Sequence, residues 1–229
     1  MEAAYVALNN KEHQNIRIKD MDNFEEFSND HMAPLMVQEF IQASASFPII
    51  FTKDPKSMQF KAVALFGLTP ETNQFVVEGK WTARYLPMVL RGQPFIAREN
   101  EQQSIMIGFN SNSKLVNTTE GHRLFDENSE QTDYLKQQVA FMGKIAEYHH
   151  ITSLFIKHLT DNELLQQKVL TIKGSNGKDH NIQGIYTIDE ERLKNLADDK
   201  LVMFAKQGLF GPIYAHLSSL GQVDLLIKS

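Results

Sequence analysis

Cysteine is absent from this chain of 229 residues, which excludes disulfides, thiolate metal sites and thiol nucleophiles. Neither GxGxxG nor GxxxxGK[ST] occurs, so no glycine-rich phosphate cradle of the dinucleotide or P-loop kind is expected. The GxSxG turn that exposes a nucleophilic serine is missing, as are HExxH and the calcium-loop spacing. Long apolar runs are lacking too. The best stretch free of acid and base, QGLFGPIYAHLSSLGQV, is broken by Gly208, Gly211, Pro212, His216 and Gly221 and falls short of the roughly 20 apolar residues of a membrane span. The first residues, MEAAYVALNNKEHQN, show no basic start followed by an apolar core, so a cytoplasmic location is expected. A net charge of -5 leaves no broad basic face of the kind that displaces counterions from nucleic acid.

What is present is an ordinary globular composition, 42% hydrophobic and 22% charged, far from that of a disordered chain. No repeat or low-complexity linker divides it, and one domain over residues 1–229 is expected, with the polar stretch 110–133 as an internal loop. Between 33 and 47, Ala33, Val37, Phe40, Ile41, Ser44 and Phe47 recur at helical spacing behind Pro34, which predicts a helix. PIIFTKD, FKAVALFGL, NQFVVEGKW and IMIGFN read as strands whose short links favour antiparallel pairing.

A long helix over 132–159 follows, with Leu135, Val139, Met142, Ala146, His149, Thr152 or Ser153, Ile156 and Leu159 on its apolar stripe. VLTIKG and NIQGIYTI form a hairpin about Asn176-Gly177, and short helices are expected near 188–196 and 199–207, the second stopped by Gly208. The predicted class is α+β, a mainly antiparallel sheet packed against the long helix.

One segment departs from the acidic background. GKWTARYLPMVLRGQPFIAR holds Lys80, Arg84, Arg91 and Arg98, no carboxylate, and the single tryptophan, Trp81. Guanidinium groups are permanently charged planar donors that pair with carboxylates or phosphates and stack on aromatic faces. Arg84 and Arg91 with Trp81 and Tyr85 are therefore the candidate pocket for an anionic or aromatic ligand; the competing reading is that the arginines stack on the protein's own rings or pair with a distant acid. Glu39 falls opposite the apolar stripe of its helix, which makes it a solvent-facing or second-layer carboxylate or, alternatively, a partner for Arg84 or Arg91.

Histidine is expected to bind no metal. His149 and His150 diverge by about 100°, and His150 and His158 lie about 12 Å apart along the axis. His149, on the apolar stripe, is expected in the core. Asp189 and Glu190 are read as helix-capping acids, Thr187 and Glu190 forming a capping box, rather than a catalytic pair. His216 lies beside Ser218 and Ser219, but neighbours in sequence do not make a nucleophile and base without an oxyanion site.

LNNKEHQNIRI, HMAPLMVQEFIQASASFPIIFTKD, FKAVALFGL, NQFVVEGKWTARYLPMVLRGQPF, LFDENSEQTDYL, GIYTIDEERLKNL and GPIYAHLSSLGQ, in that order, resemble the SapC family of bacterial proteins. The resemblance implies an association with bacterial surface layers and with neighbouring flavin-dependent halogenase-like proteins, cupin-like proteins and TonB-dependent receptors. It implies no catalytic residues. A peptide-transporter permease shares the family's name, but this chain lacks the spanning helices a permease needs.

The leading expectation is a non-enzymatic binding or accessory protein without a cofactor. It would recognise an anionic or aromatic group on a small molecule, peptide or sugar through Trp81, Arg84, Tyr85, Arg91, Glu39 and His216. The alternatives are a metal-independent enzyme with Glu39 or His216 as general base, and a structural surface-layer component.

Overall fold

The computed structural model of the chain describes residues 4–100, 102, 104–173 and 179–227. Its strands, in chain order, are β1 (Tyr5–Ala7), β2 (Arg17–Ile18), β3 (Met32–Pro34), β4 (Ile49–Lys53), β5 (Phe60–Leu65), β6 (Val76–Val77), β7 (Lys80–Trp81), β8 (Phe95–Glu99), β9 (Ile105–Asn110), β10 (Val116–Asn117), β11 (His122–Arg123), β12 (Leu165–Lys173) and β13 (Asp179–Ile188). The helices are α1 (Phe40–Ala43), α2 (Met88–Arg91), α3 (Asp133–Asp161), α4 (Glu190–Lys194), α5 (Asp198–Lys206) and α6 (Phe210–Ser219). Every pairing between these strands is antiparallel, and with the long α3 the class is α+β.

Two compact units divide the chain, residues 1–22 with 88–148 and residues 23–87 with 149–229. The divisions fall on either side of the second segment and inside α3, not in the polar stretch 110–133, which contains β10 and β11.

The first unit contains the sheets β1-β9-β8 and β10-β2-β11. Its core joins Ile18, Phe95, Phe109, Leu115, Leu124, Phe125, Leu135 and Met142. Leu135 and Met142 come from the stripe of α3, so alternate strand residues and a helical face supply one apolar interior.

The second unit is built on the sheet β12-β13-β4-β5-β3. Ile49, Ile50 and Phe51 of β4 and Ala62 to Leu65 of β5 are all buried, as central strands covered on both faces must be. The predicted turn at Asn176-Gly177 lies outside the described residues. Phe40 packs edge-on against Phe155 of α3 at 5.9 Å, and Phe47 meets Phe66 and Phe75 at 5.1 and 4.9 Å.

Several local expectations need correction. No continuous helix spans 33–47: Pro34 lies in β3 opposite Val63, and helical geometry is confined to a 3-10 turn at Val37–Glu39 followed by α1. The ladder to β5 satisfies that stretch's backbone, with Leu35 N–H donating to the Ala62 carbonyl at 3.0 Å.

NQFVVEGKW is a tight hairpin rather than one strand, because Glu78 (φ 50) and Gly79 (φ 74) both take the left-handed conformation of a two-residue turn. α4 is capped by Asp189, whose carboxylate accepts the Glu191 and Arg192 N–H groups at 3.1 Å each, while Thr187 is buried in β13. His149 is exposed, not in the core.

Candidate functional site

The β6–β7 hairpin delivers Trp81 into the second unit's aromatic cluster, its ring 5.3 Å from that of Phe66 and 6.0 Å from those of Phe24 and Phe47. Aromatic packing does not satisfy the indole N–H. That group donates to the Tyr85 carbonyl at 2.8 Å, closing a short loop over residues 81–85. The far end of the loop is tied down as well, since the Tyr85 hydroxyl donates to Glu39 Oε1 at 2.8 Å.

Glu39 does not face solvent. It is 2% exposed and its Oε2 accepts the Met36 N–H at 2.9 Å, so the carboxylate closes the 3-10 turn from inside the protein. The acceptor for the next free donor of that turn, the Val37 N–H, is Thr152 Oγ1 of α3 at 2.9 Å. The spacing rule placed Glu39 on the solvent side because it assumed a regular α-helix, whereas the 3-10 turn and the docked Tyr85 put it inside.

Within this loop Arg84 is exposed, and its guanidinium forms no ion pair and no hydrogen bond among the described residues. Tyr85 thus meets Trp81 through its carbonyl and Glu39 through its hydroxyl, with Arg84 on the segment they hold. Arg91 belongs to the first unit, where its guanidinium lies 5.8 Å from the centre of the Phe141 ring. Arg98, in the same unit, lies 4.4 Å from the Tyr5 ring. Stacking on the protein's own rings, Phe141 and Tyr5, therefore accounts for part of the basic segment.

His216 stands in a different setting. Fully buried on α6, its ring packs 5.0 Å from Phe51 and its Nε2 accepts the Ile188 N–H at 3.1 Å. An accepting Nε2 places the proton of the neutral ring on Nδ1. Burial pulls its pKa from 6.5 down to about 4, opposed weakly by the Ile49 backbone; no regular hydrogen bond reaches Nδ1 in the described structure.

Three residues on, Ser219 Oγ donates to the His216 carbonyl at 2.6 Å and accepts the Ile49 N–H at 2.9 Å. The serine therefore contacts the histidine's backbone and not its ring. Together His216 and Ser219 fasten α6 onto β13 and β4. Sequence reasoning missed α6 itself, whose Gly211 and Pro212 look like helix breakers but fall in the first turn, where proline is tolerated.

Among the described residues no group of three His, Asp or Glu side chains is placed to hold a metal ion, and no helix is long and apolar enough to cross a membrane. A family model described as SapC matches residues 8–226, spanning nearly the whole chain and both compact units. The chain belongs to the SapC family. No curated protein and no solved structure matches it. The residue roles in this SapC chain therefore come from its own geometry.

Proposed function

We propose that this SapC protein is a non-enzymatic binding or accessory protein, and that Arg84 is its contact to an anionic group on a small molecule or peptide. The observation that carries this reading is an exposed guanidinium without an acid partner among the described residues, on a loop pinned at Trp81 and Tyr85. A pinned loop loses little further freedom when a ligand binds, so more of the contact energy appears as affinity. The neighbouring Trp81 and Tyr85 favour ligands that pair a carboxylate or phosphate with a flat ring.

The enzymatic alternative receives less support. Both candidate bases are engaged in structural hydrogen bonds, Glu39 to Met36 and Tyr85, His216 to Ile188, and the burial of His216 disfavours its protonated form. Service beside a flavin-dependent halogenase-like enzyme or a surface-layer component is what family membership adds to the proposal.

Untargeted mass spectrometry of small molecules retained by natively purified protein tests it. An acidic molecule should accompany the wild type, be lost from Arg84→Ala, and be held more weakly by Arg84→Lys, which keeps the charge but not the planar fork. Equal retention by all three proteins would refute the role of Arg84.

A further inference from the structure

We propose that the β10-β2-β11 sheet carries a second binding site, for a phosphate-class dianion, between Arg17 and Arg123. The register sets Arg17 directly opposite Arg123, with Asn117 opposite it on the other side. Directly opposed residues of antiparallel strands share a face with Cβ atoms about 5 Å apart, and like charges in that position repel. Both arginines thus stand side by side on one face of the sheet. No acid pairs with either among the described residues. The acids nearest in sequence are engaged elsewhere, Asp20 with the His122 ring at 3.1 Å, Glu120 with Lys19, and Asp126 with the Asn128 and Glu130 N–H groups at 2.9 Å each.

The surrounding loop orients Arg17. Arg17 Nη1 donates to the Gly121 carbonyl at 3.0 Å, which leaves the other donors of its fork available. Gly121 cannot shift easily to another residue type, having φ +93 and a position where a Cβ would lie 2.2 Å from the Ile18 carbonyl. Asn117 Oδ1 accepts the Thr119 and Glu120 N–H groups at 2.9 and 2.7 Å and so closes the turn between β10 and β11. On the opposite face of β2, Ile18 is anchored in the apolar core. The small sheet therefore has one face locked inward at Ile18 and one face carrying Arg17 and Arg123.

Two forks carrying two positive charges match a dianion with three or more oxygens, whereas a single carboxylate would neutralise only one of them. Free phosphate and a phosphate monoester share this chemistry. Isothermal titration with inorganic phosphate and, separately, phenyl phosphate, at pH 8 and with ionic strength held constant by sodium chloride, tests the assignment.

All titrations are made in the Arg84→Ala background, which removes the contact proposed above, so that the event read belongs to this sheet and not to the Arg84 loop. That protein should show one saturable event, weakened at least tenfold when Arg123→Gln is added and several-fold when Arg123→Lys is added, with circular dichroism unchanged. Tighter binding of phenyl phosphate assigns an ester as the ligand, and tighter binding of inorganic phosphate assigns the free ion. No saturable heat in the Arg84→Ala protein, or equal binding after Arg123→Gln is added, overturns the site.

Discussion

The two compact units use buried polar side chains in opposite ways. In the first, His13 accepts the Asn9 N–H and Ser113 the Leu115 N–H, contacts that shape single turns, while distant strands and α3 meet through an entirely apolar cluster. In the second, buried polar atoms link segments far apart in sequence. Ser219 reaches Ile49, His216 reaches Ile188, Thr152 reaches Val37 and Asn73 reaches the Phe27 carbonyl. Apolar contacts are non-directional and tolerate small shifts, whereas a buried hydrogen bond exacts a penalty when either partner is lost. The first unit should therefore be sensitive to inserted charge, and the second to lost acceptors and to pH.

The largest effect is expected where charge enters the first unit's core. Met142 is 2% exposed and approaches Gly92 so closely that a Cβ there would lie 2.4 Å from its Cε. Met142→Asp puts a carboxylate without a partner into that interior, at a cost on the order of 5 kcal/mol, comparable to the whole stability of many domains. Thermal melts followed by circular dichroism should show loss of cooperative folding. The exposed neighbour substitution Lys144→Asp should change stability by less than about 0.5 kcal/mol. An unaltered melting temperature for Met142→Asp would break the apolar half of the comparison.

The second unit should instead respond to acid through His216. Its pKa is about 4 in the folded protein against an ordinary 6.5, so below pH 6.5 the unfolded chain gains a proton that the folded chain refuses. The associated stability is fully present above pH 6.5 and is lost as pH falls toward 4, by about 3 kcal/mol in all. Gln at 216 retains an acceptor for the Ile188 N–H but does not titrate in this range. The difference between wild-type and His216→Gln stability, measured by urea titration at a series of pH values, should therefore change across that window. A constant difference would show that His216 is not the pH-sensitive element.

What could be read from sequence followed the range of the interactions. The helix at 133–161 was legible because its period persists over many turns, and Leu135, Met142, Thr152, Ile156 and Leu159 are buried as that period requires. His149 is exposed although Met142 and Ile156, seven residues before and after it, are buried; it stands where α3 passes from one compact unit to the other, a change the helical period does not register. β4, β5, β9 and the β12–β13 pairing were legible from β-branched and aromatic runs.

The segment around Pro34 was misread because its partner, β5, lies far along the chain and leaves no mark on local spacing. Of the candidate site, the association of Trp81 with Tyr85 was foreshadowed by the aromatic and basic composition of their segment. The burial of Glu39 and the fastening role of His216 were not, since each depends on a backbone group from another element or an irregular turn.

Paired serine substitutions sharpen the contrast at smaller magnitude. Ser219→Ala strands the buried Ile49 N–H between α6 and β4 and should cost about 2 kcal/mol. Ser113→Ala removes only a local turn contact, 3.3 Å long, and should cost less than about 1 kcal/mol. Chemical denaturation of the two variants under identical conditions measures the difference. Equal losses would mean that long-range and local polar contacts are equivalent here.

The smallest effect on stability is expected at Arg84. Its guanidinium is exposed and engages no acid among the described residues, while its loop is held by bonds from Trp81 and Tyr85 that do not involve it. Arg84→Ala should therefore shift folding stability by no more than about 0.5 kcal/mol. Tyr85→Phe, in contrast, deletes the hydroxyl that Glu39 accepts and should cost about 1 to 3 kcal/mol, because it removes a donor from a buried carboxylate. Melts of the two variants, each with and without a ligand recovered from the native protein, separate holding the loop from using it. Tyr85→Phe should lose stability in both conditions, whereas Arg84→Ala should melt like the wild type alone and lose only the increment that ligand confers. A strongly destabilised Arg84→Ala would place this arginine among the structural fasteners of the second unit and withdraw it from ligand recognition.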